Sequence, residues 1–213
     1  MTNYAVISGD IVNFTMLPES NRKWLMESTK GLLNEWEEVP GDSGVFSGDS
    51  YQLLIADIKS ALKRSIQLIC WFKTQSDQTK NIKIGTRVSV GVGSIAYKIS
   101  SVLDSDGEAF HISGRNLGIM KHGESLAVNT ANEKINRQTE LILSFVNPIL
   151  NKWTVPQAEV IHMYLDDLTQ AKIADILGIK QSSVNNRLKA AQWKEVENAV
   201  YYIAETIEEE FKQ

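Results

Sequence analysis

Apolar positions along the chain recur at two spacings, one suited to strands and one to helices. Tyr4-Ala5-Val6-Ile7-Ser8 is an almost unbroken β-prone run, as expected of a central strand covered on both faces. Between residues 17 and 38, Leu17, Trp24, Leu25, Leu32, Leu33 and Trp36 fall at helical spacing and predict an amphipathic helix. A turn cluster, VPGDSG (39–44), follows. VFSGDSYQLLI (45–55) then reads as a β-hairpin with Gly48-Asp49 at its tip. Residues 57–75 predict a second amphipathic helix with Ile58, Ala61, Leu62, Ile66, Ile69 and Phe72 on one face. A strand over 81–97, a helix over 107–121 and a last strand over 124–129 complete the pattern. The order β, α, β, β, α, β, α, β predicts an α+β fold of the ferredoxin-like, split βαβ kind over residues 1–129.

Beyond that point the periodicity becomes helical and glycines become rare. Residues 130–152 predict a linking helix that ends near Asn147-Pro148, with a boundary at about 150. Pro156 can open a helix in its first turn, and that helix carries Ala158, Val160, Ile161 and Tyr164. Asp167-Leu168-Thr169 is a break, with Thr169 capping QAKIADILG (170–178) and Gly178 ending it in the left-handed manner. A third helix opens at Gln181 or Ser182, with Val184 and Leu188 facing Ile173, Ala174 and Leu177. A small residue where two helices cross, then Leu-Gly-Ile, then a polar helix, is a helix-turn-helix pattern. It resembles the helix-turn-helix of sigma-factor region 4, which implies an all-α DNA-binding domain over 153–213. The residues expected to face DNA are Lys180, Gln181, Ser182, Ser183, Asn185, Asn186, Arg187 and Lys189, types that bond base edges and phosphates. A helix-turn-helix used only for packing or protein contact is the alternative. The last segment, with Val196, Val200, Ile203, Ile207 and Phe211 at helical spacing, suits packing on its own domain or a dimer seam.

Composition adds bounds. Across 213 residues, 43% are hydrophobic and 23% charged, ordinary for a soluble globular protein. The net charge is −4, so any contact with nucleic acid must be local. Such a patch exists: Gly178 to Lys194 holds four basic residues and no acid, whereas Glu195 to Gln213 holds six acids and one lysine. The single cysteine, Cys70, lies in the apolar run SIQLICWF and reads as a core residue. No signal-peptide pattern and no membrane-length apolar run is present, which predicts a cytoplasmic protein with no membrane partner.

The two Ser-Gly-Asp phrases, SGDIVNFT (8–15) and SGDSYQLLI (47–55), are the candidate chemistry of the first segment. Two carboxylates at neighbouring strand ends are what a hard cation on a triphosphate requires. The plain alternative is that each Gly-Asp is a turn or a helix cap. GVGSIA (91–96) formally fits a dinucleotide fingerprint, but extended chain rather than a helix follows it, and the fingerprint is rejected. His111, His122 and His162 show no metal-ligand spacing, so no zinc is assigned.

These phrases, together with TRVSVGVGSIAY and DSDGEAFHISGR, resemble in order the motifs of class III nucleotidyl cyclases. The closest likeness is to the SatD family, which resembles a reduced cyclase-homology domain; the likeness covers roughly residues 4–128. It implies Asp10 and Asp49 as ligands of Mg²⁺ or Mn²⁺. It also implies Asp104, Gly107 and Arg115 as nucleotide-binding positions, with Arg115 and His111 as catalytic candidates. The chain departs from the cyclase pattern at two places: His111 stands where an asparagine is expected, and Val45 where a lysine is expected. The reading that follows is a DNA-binding transcriptional regulator, rather than an enzyme, with a degenerate cyclase-like sensor or dimerisation domain. Its partners are DNA, a nucleotide or other anionic ligand, and a second copy of the chain. The alternative is a metal-dependent nucleotide cyclase or hydrolase using Asp10 and Asp49.

Overall fold

A computed structural model describes residues 3–46, 48–76, 82–98 and 101–211. Ser47 and Asn81, which open two of the predicted segments, lie outside the described residues. The fold is α+β, built on a five-stranded sheet in the order β2-β3-β1-β4-β5. The central strand β1 (Asn3–Val12) is antiparallel to both neighbours, β3 (Ser50–Ile55) and β4 (Gly85–Ser94). β2 (Ser43–Phe46) forms the hairpin with β3, and β5 (Leu126–Asn129) adds parallel to β4. With the hairpin on one side of β1 and β4 on the other, the strands lie as a split βαβ unit requires.

Both faces of β1 are covered, which is why its run is apolar rather than alternating. Ala5, Ile7 and Ile11 join the main core under α1 (Glu19–Asn34) and α2 (Ile58–Thr74). Val6 packs on the opposite face with Leu54, Val102, Ala109 and Phe110, under α3 (Glu108–Ile119). The glycines of GVGSIA explain themselves here. A Cβ at Gly91 would stand 2.3 Å from the Ala109 carbonyl oxygen and 2.4 Å from the Ser113 nitrogen, so the glycine lets α3 lie directly on β4. Only one of the adjacent pair Trp24-Leu25 can face the core: Leu25 is buried, and Trp24, expected inward, is 55% exposed.

The helix after β5 runs further than its sequence predicts. α4 spans Glu133–Lys152 and continues through Pro148. Pro148 is exposed, so the carbonyl it orphans faces water. Burial of Leu143, Val146, Asn147 and Leu150 on both sides of it holds the helix against the edge strand. Asn147 stitches the two together: its Oδ1 accepts from the Ser125 and Leu126 N–H groups at 3.0 and 2.9 Å, and its Nδ2 donates to the Leu126 carbonyl at 3.0 Å.

Four helices complete the chain: α5 (Val155–Leu165), α6 (Gln170–Leu177), α7 (Gln181–Ala190) and α8 (Trp193–Phe211). α5 and α8 both pack on α2, so buried side chains run without a break from the sheet into this segment. The apolar face of α8 is used inside the chain, with Val196, Ile203 and Ile207 buried. Polar groups seam α2 to the end of α5. Gln67 donates to Asp166 at 2.6 Å, Arg64 lies 3.7 Å from Asp166, and Lys63 pairs with Asp167 at 2.9 Å. Among the described residues, no helix is long and apolar enough to cross a membrane.

Two stability predictions follow from these contacts. Asn147→Ala leaves two N–H donors and a carbonyl of the β5 edge unsatisfied and should cost about 3 kcal/mol in denaturant unfolding. The second concerns His162, which sits in the α2–α5 seam with Nε2 3.9 Å from Asp166 Oδ2. Burial pushes its imidazole below the ordinary range; Asp166 opposes that shift and Arg64 adds to it. The folded protein therefore favours neutral His162, and the unfolded chain binds more protons between the lowered value and the ordinary 6.5. Stability should fall as pH drops from about 7.5 to about 5.5, and the fall should be shallower in His162→Gln by thermal melting.

Candidate functional site

The first candidate site lies at one end of the sheet, where β1 leaves the core. Asp10 faces Ser50 across one side of β1 and Arg87 across the other. The Arg87 guanidinium takes the whole carboxylate: Nε donates to Asp10 Oδ1 at 3.0 Å and Nη2 donates to Oδ2. Its remaining Nη1 donates to the Met120 carbonyl at 3.3 Å. The hydrogen bond to Asp10 raises the Arg87 pKa further, so the guanidinium is a fixed charge. Beneath the pair, Thr86 Oγ1 donates to the Asp10 carbonyl at 2.7 Å and lies 2.6 Å from the hydroxyl of buried Tyr51. Gly9 makes this possible, since a Cβ there would stand 2.3 Å from the Tyr51 ring.

Asp49 sits beside this group, at the hairpin turn. Its carbonyl accepts the Ile11 N–H at 2.9 Å, and the Ser50 hydroxyl approaches its Oδ1 at 3.4 Å. The predicted pair is thus at one sheet end, Asp10 on β1 and Asp49 in the turn before β3, but Asp10 already has a cationic partner. Among the described residues, no group of three or more His, Cys, Asp or Glu side chains is placed to hold a metal ion. With both Asp10 oxygens on the guanidinium, the residues as arranged do not fit a divalent ion. Arg87 is the residue that sequence reasoning missed. Its role depends on the antiparallel register of β1 and β4, which no local pattern encodes.

The positions assigned to a nucleotide lie around the start of α3. Asp104 ends a 3-10 turn, Val102–Asp104, and is exposed. Gly107 (φ 155°) precedes α3, and a Cβ there would meet Ile95 Cα and Ala96 N at 2.7 Å, a packing reason for glycine. His111 Nε2 lies 3.0 Å from Asp106 Oδ1, which also accepts the Gly107 N–H at 2.8 Å. Arg115 is exposed one turn further along α3. Their hydrogen bonds and ion pairs are local to α3 and the turn before it, whereas Asp10 pairs with Arg87 and Asp49 with the start of β3.

The second candidate site is the surface of α6 and α7. Thr169 caps α6 by accepting the Lys172 N–H at 3.2 Å, and Gly178 ends it at φ 63°, ψ 33°. Ile173, Ala174, Val184 and Leu188 are buried between the helices. Lys180, Gln181, Ser182, Asn186 and Lys189 are exposed, while Ser183 and Asn185 are half-buried. Arg187 turns back toward α5, where it lies 3.6 Å from Glu159.

The sequence matches the family described as the SatD family over residues 4–203. A comparison with curated proteins returned no match. Among solved structures, the active GGEEF domain of a diguanylate cyclase from Vibrio cholerae is similar with a TM-score of 0.47 and 14% identity. That alignment covers 62% of this chain and 84% of that one. An adenylate/guanylate cyclase/hydrolase from Silicibacter pomeroyi is similar with a TM-score of 0.35 and 14% identity, covering 56% of this chain and 70% of that one. Neither likeness is close enough to carry a functional argument.

If Arg87 is the cation that Asp10 is built for, Arg87→Met should cost about 1–2 kcal/mol, because both side chains are partly screened by solvent. Denaturant unfolding measures this. Mn²⁺ titrated into the wild type should bind no tighter than about millimolar, and micromolar binding lost in Asp10→Asn would show that the ion displaces Arg87.

Proposed function

The chain belongs to the SatD family, and from that footing we propose that it is a DNA-binding regulator whose helices α6 and α7 form a helix-turn-helix. The observation that supports this best is the junction at Gly178. A left-handed turn (φ 63°, ψ 33°) joins two helices of 8 and 10 residues. Their crossing is sealed by Ala174, Ile173, Val184 and Leu188. That packing leaves α7 to present Gln181, Ser182, Asn186 and Lys189 outward, with Lys180 just before it. Amides and hydroxyls of this kind pair with base edges, and the lysines position the helix on phosphates. Arg187 serves differently: its pairing with Glu159 braces α7 on α5. A short basic helix on a chain of net charge −4 binds DNA weakly as a single copy. Two copies on paired half-sites provide the affinity. The pair must form through a surface other than the apolar face of α8, which is buried within the chain.

A second reading is nucleotide and metal binding at the sheet end, with or without turnover. It is favoured by the placement of Asp10, on β1, beside the turn that holds Asp49. It requires Arg87 to release Asp10, and it uses Asp104, Gly107 and Arg115 as nucleotide contacts. In either case the α+β segment acts as the sensor or pairing unit for the helices that follow.

Binding to random-sequence duplex DNA, followed by fluorescence anisotropy at several salt concentrations, tests the main reading. Lys189→Ala should weaken binding on the order of tenfold and reduce the salt slope by about one. Arg187→Ala should act mainly through stability. Salt-independent binding, or equal binding by a Lys180→Ala, Lys189→Ala double variant, would sink the reading.

A further inference from the structure

We infer that the cleft between the sheet end and the α4–α5 junction is a binding site for a small phosphate-bearing ligand, held by Lys73, Lys83 and Lys152. This cleft, of about 510 Å³, lies within the size range of small-ligand sites. Its wall brings together three separate parts of the chain: the end of α2 (Lys73), the segment before β4 (Lys83) and the end of α4 (Lys152). Among the described residues, no carboxylate lines it. Lys73 is half-buried, and its ammonium donates to the Asn151 carbonyl at 3.3 Å. Lys83 stands close enough to repel it. Like charges gathered on one concave wall, with Lys73 partly buried, are unfavourable until an anion joins them.

Three ammonium groups suit a ligand of more than one negative charge, and lysine binds phosphate as a point charge without demanding a fixed fork. The start of α5 reinforces the field. Thr154 and Val155 line the cleft, so the positive end of that helix adds to the lysines. A second cleft of about 650 Å³ shares Lys73 and Asn151 and is lined also by the Asp10–Arg87 pair, Glu124 and Thr86, so it suits the uncharged part of a phosphorylated molecule rather than a second phosphate. The concave shape argues for a small ligand, because the convex backbone of duplex DNA does not enter it. None of these residues belongs to α7, so the site is separate from the proposed DNA surface. A bound anion would bridge the sheet to the helices that follow α4.

The test is calorimetric titration of the full chain with inorganic triphosphate in chelator, which removes any contribution from metal at Asp10. Saturable binding at one site is expected, with a rise in melting temperature. Lys73→Gln should weaken it at least about tenfold, and Lys83→Gln and Lys152→Gln each several-fold. Lys134→Gln, an exposed lysine elsewhere on α4, should leave it unchanged. Lys83 and Lys152 are exposed and carry the test if Lys73→Gln fails to fold. The inference is overturned by no saturable heat at millimolar triphosphate, by unchanged binding in all three variants, or by an equal loss in Lys134→Gln. Displacement of triphosphate by short duplex DNA at matched phosphate concentration would assign the lysines to a DNA interface and overturn it as well.

Discussion

Helix α2 is buried around nearly its whole circumference, and the rest of the molecule is arranged to achieve that. One side covers β1 and β4, and another receives α5 and α8. The run SIQLICWF has no polar stripe because no part of it faces water for long; even Gln67 is fully buried. A buried amide is costly unless both ends are satisfied. Here Arg64 Nη1 donates to Gln67 Oε1 at 2.7 Å, and Gln67 Nε2 donates to Asp166 at 2.6 Å. The polar pair therefore sets where the end of α5 sits on α2, while the apolar contacts supply the stabilisation. Cys70, wholly buried beside it with its thiol pushed well above the ordinary range, is a packing residue as its setting in the sequence suggests.

The Asp10–Arg87 pair sits where the sequence alone offers a carboxylate to a metal ion. An arginine fork and a divalent ion satisfy a carboxylate by different means: the fork saturates two oxygens in one plane, and the ion needs open coordination for phosphates and water. The pair is also anchored on each side, by Met120 above and by the Thr86–Tyr51 contact beneath. Displacing Arg87 would leave a half-buried guanidinium seeking a new partner. A divalent ion at Asp10 must therefore overcome the arginine fork before it can bind.

Local chemistry made much of the fold legible. The β1 run, the hairpin at Gly48 (φ 84°), the Thr169 cap and the left-handed Gly178 are each dictated by neighbours in sequence. What could not be read depends on contacts between distant segments. Arg87 opposes Asp10 only through strand register, and Arg187 turns to Glu159 only because α7 crosses α5. Pro148 is tolerated inside α4 because buried residues flank it and Asn147, just before it, is bonded to β5. The glycines of GVGSIA carried a phosphate-loop appearance but answer to the close seat of α3 on β4.

The continuation of α4 past Pro148 has a mechanical consequence. It carries Lys152 and Trp153 to the foot of the last helices, where Trp153 is buried and its Nε1 donates to the Ala191 carbonyl at 2.7 Å, at the turn between α7 and α8. The same helix is sewn to the sheet by Asn147, and again by Asn151, whose side chain bonds Ser125 and the Gly123 carbonyl. α4 is thus tied to β5 by amides and, through Trp153 at its C-terminal end, to the turn between α7 and α8. The lysine-lined cleft lies against the C-terminal end of α4. An anion drawn in there would touch the end of α4, which joins the sheet to the last helices alongside the packing of α5 and α8 on α2.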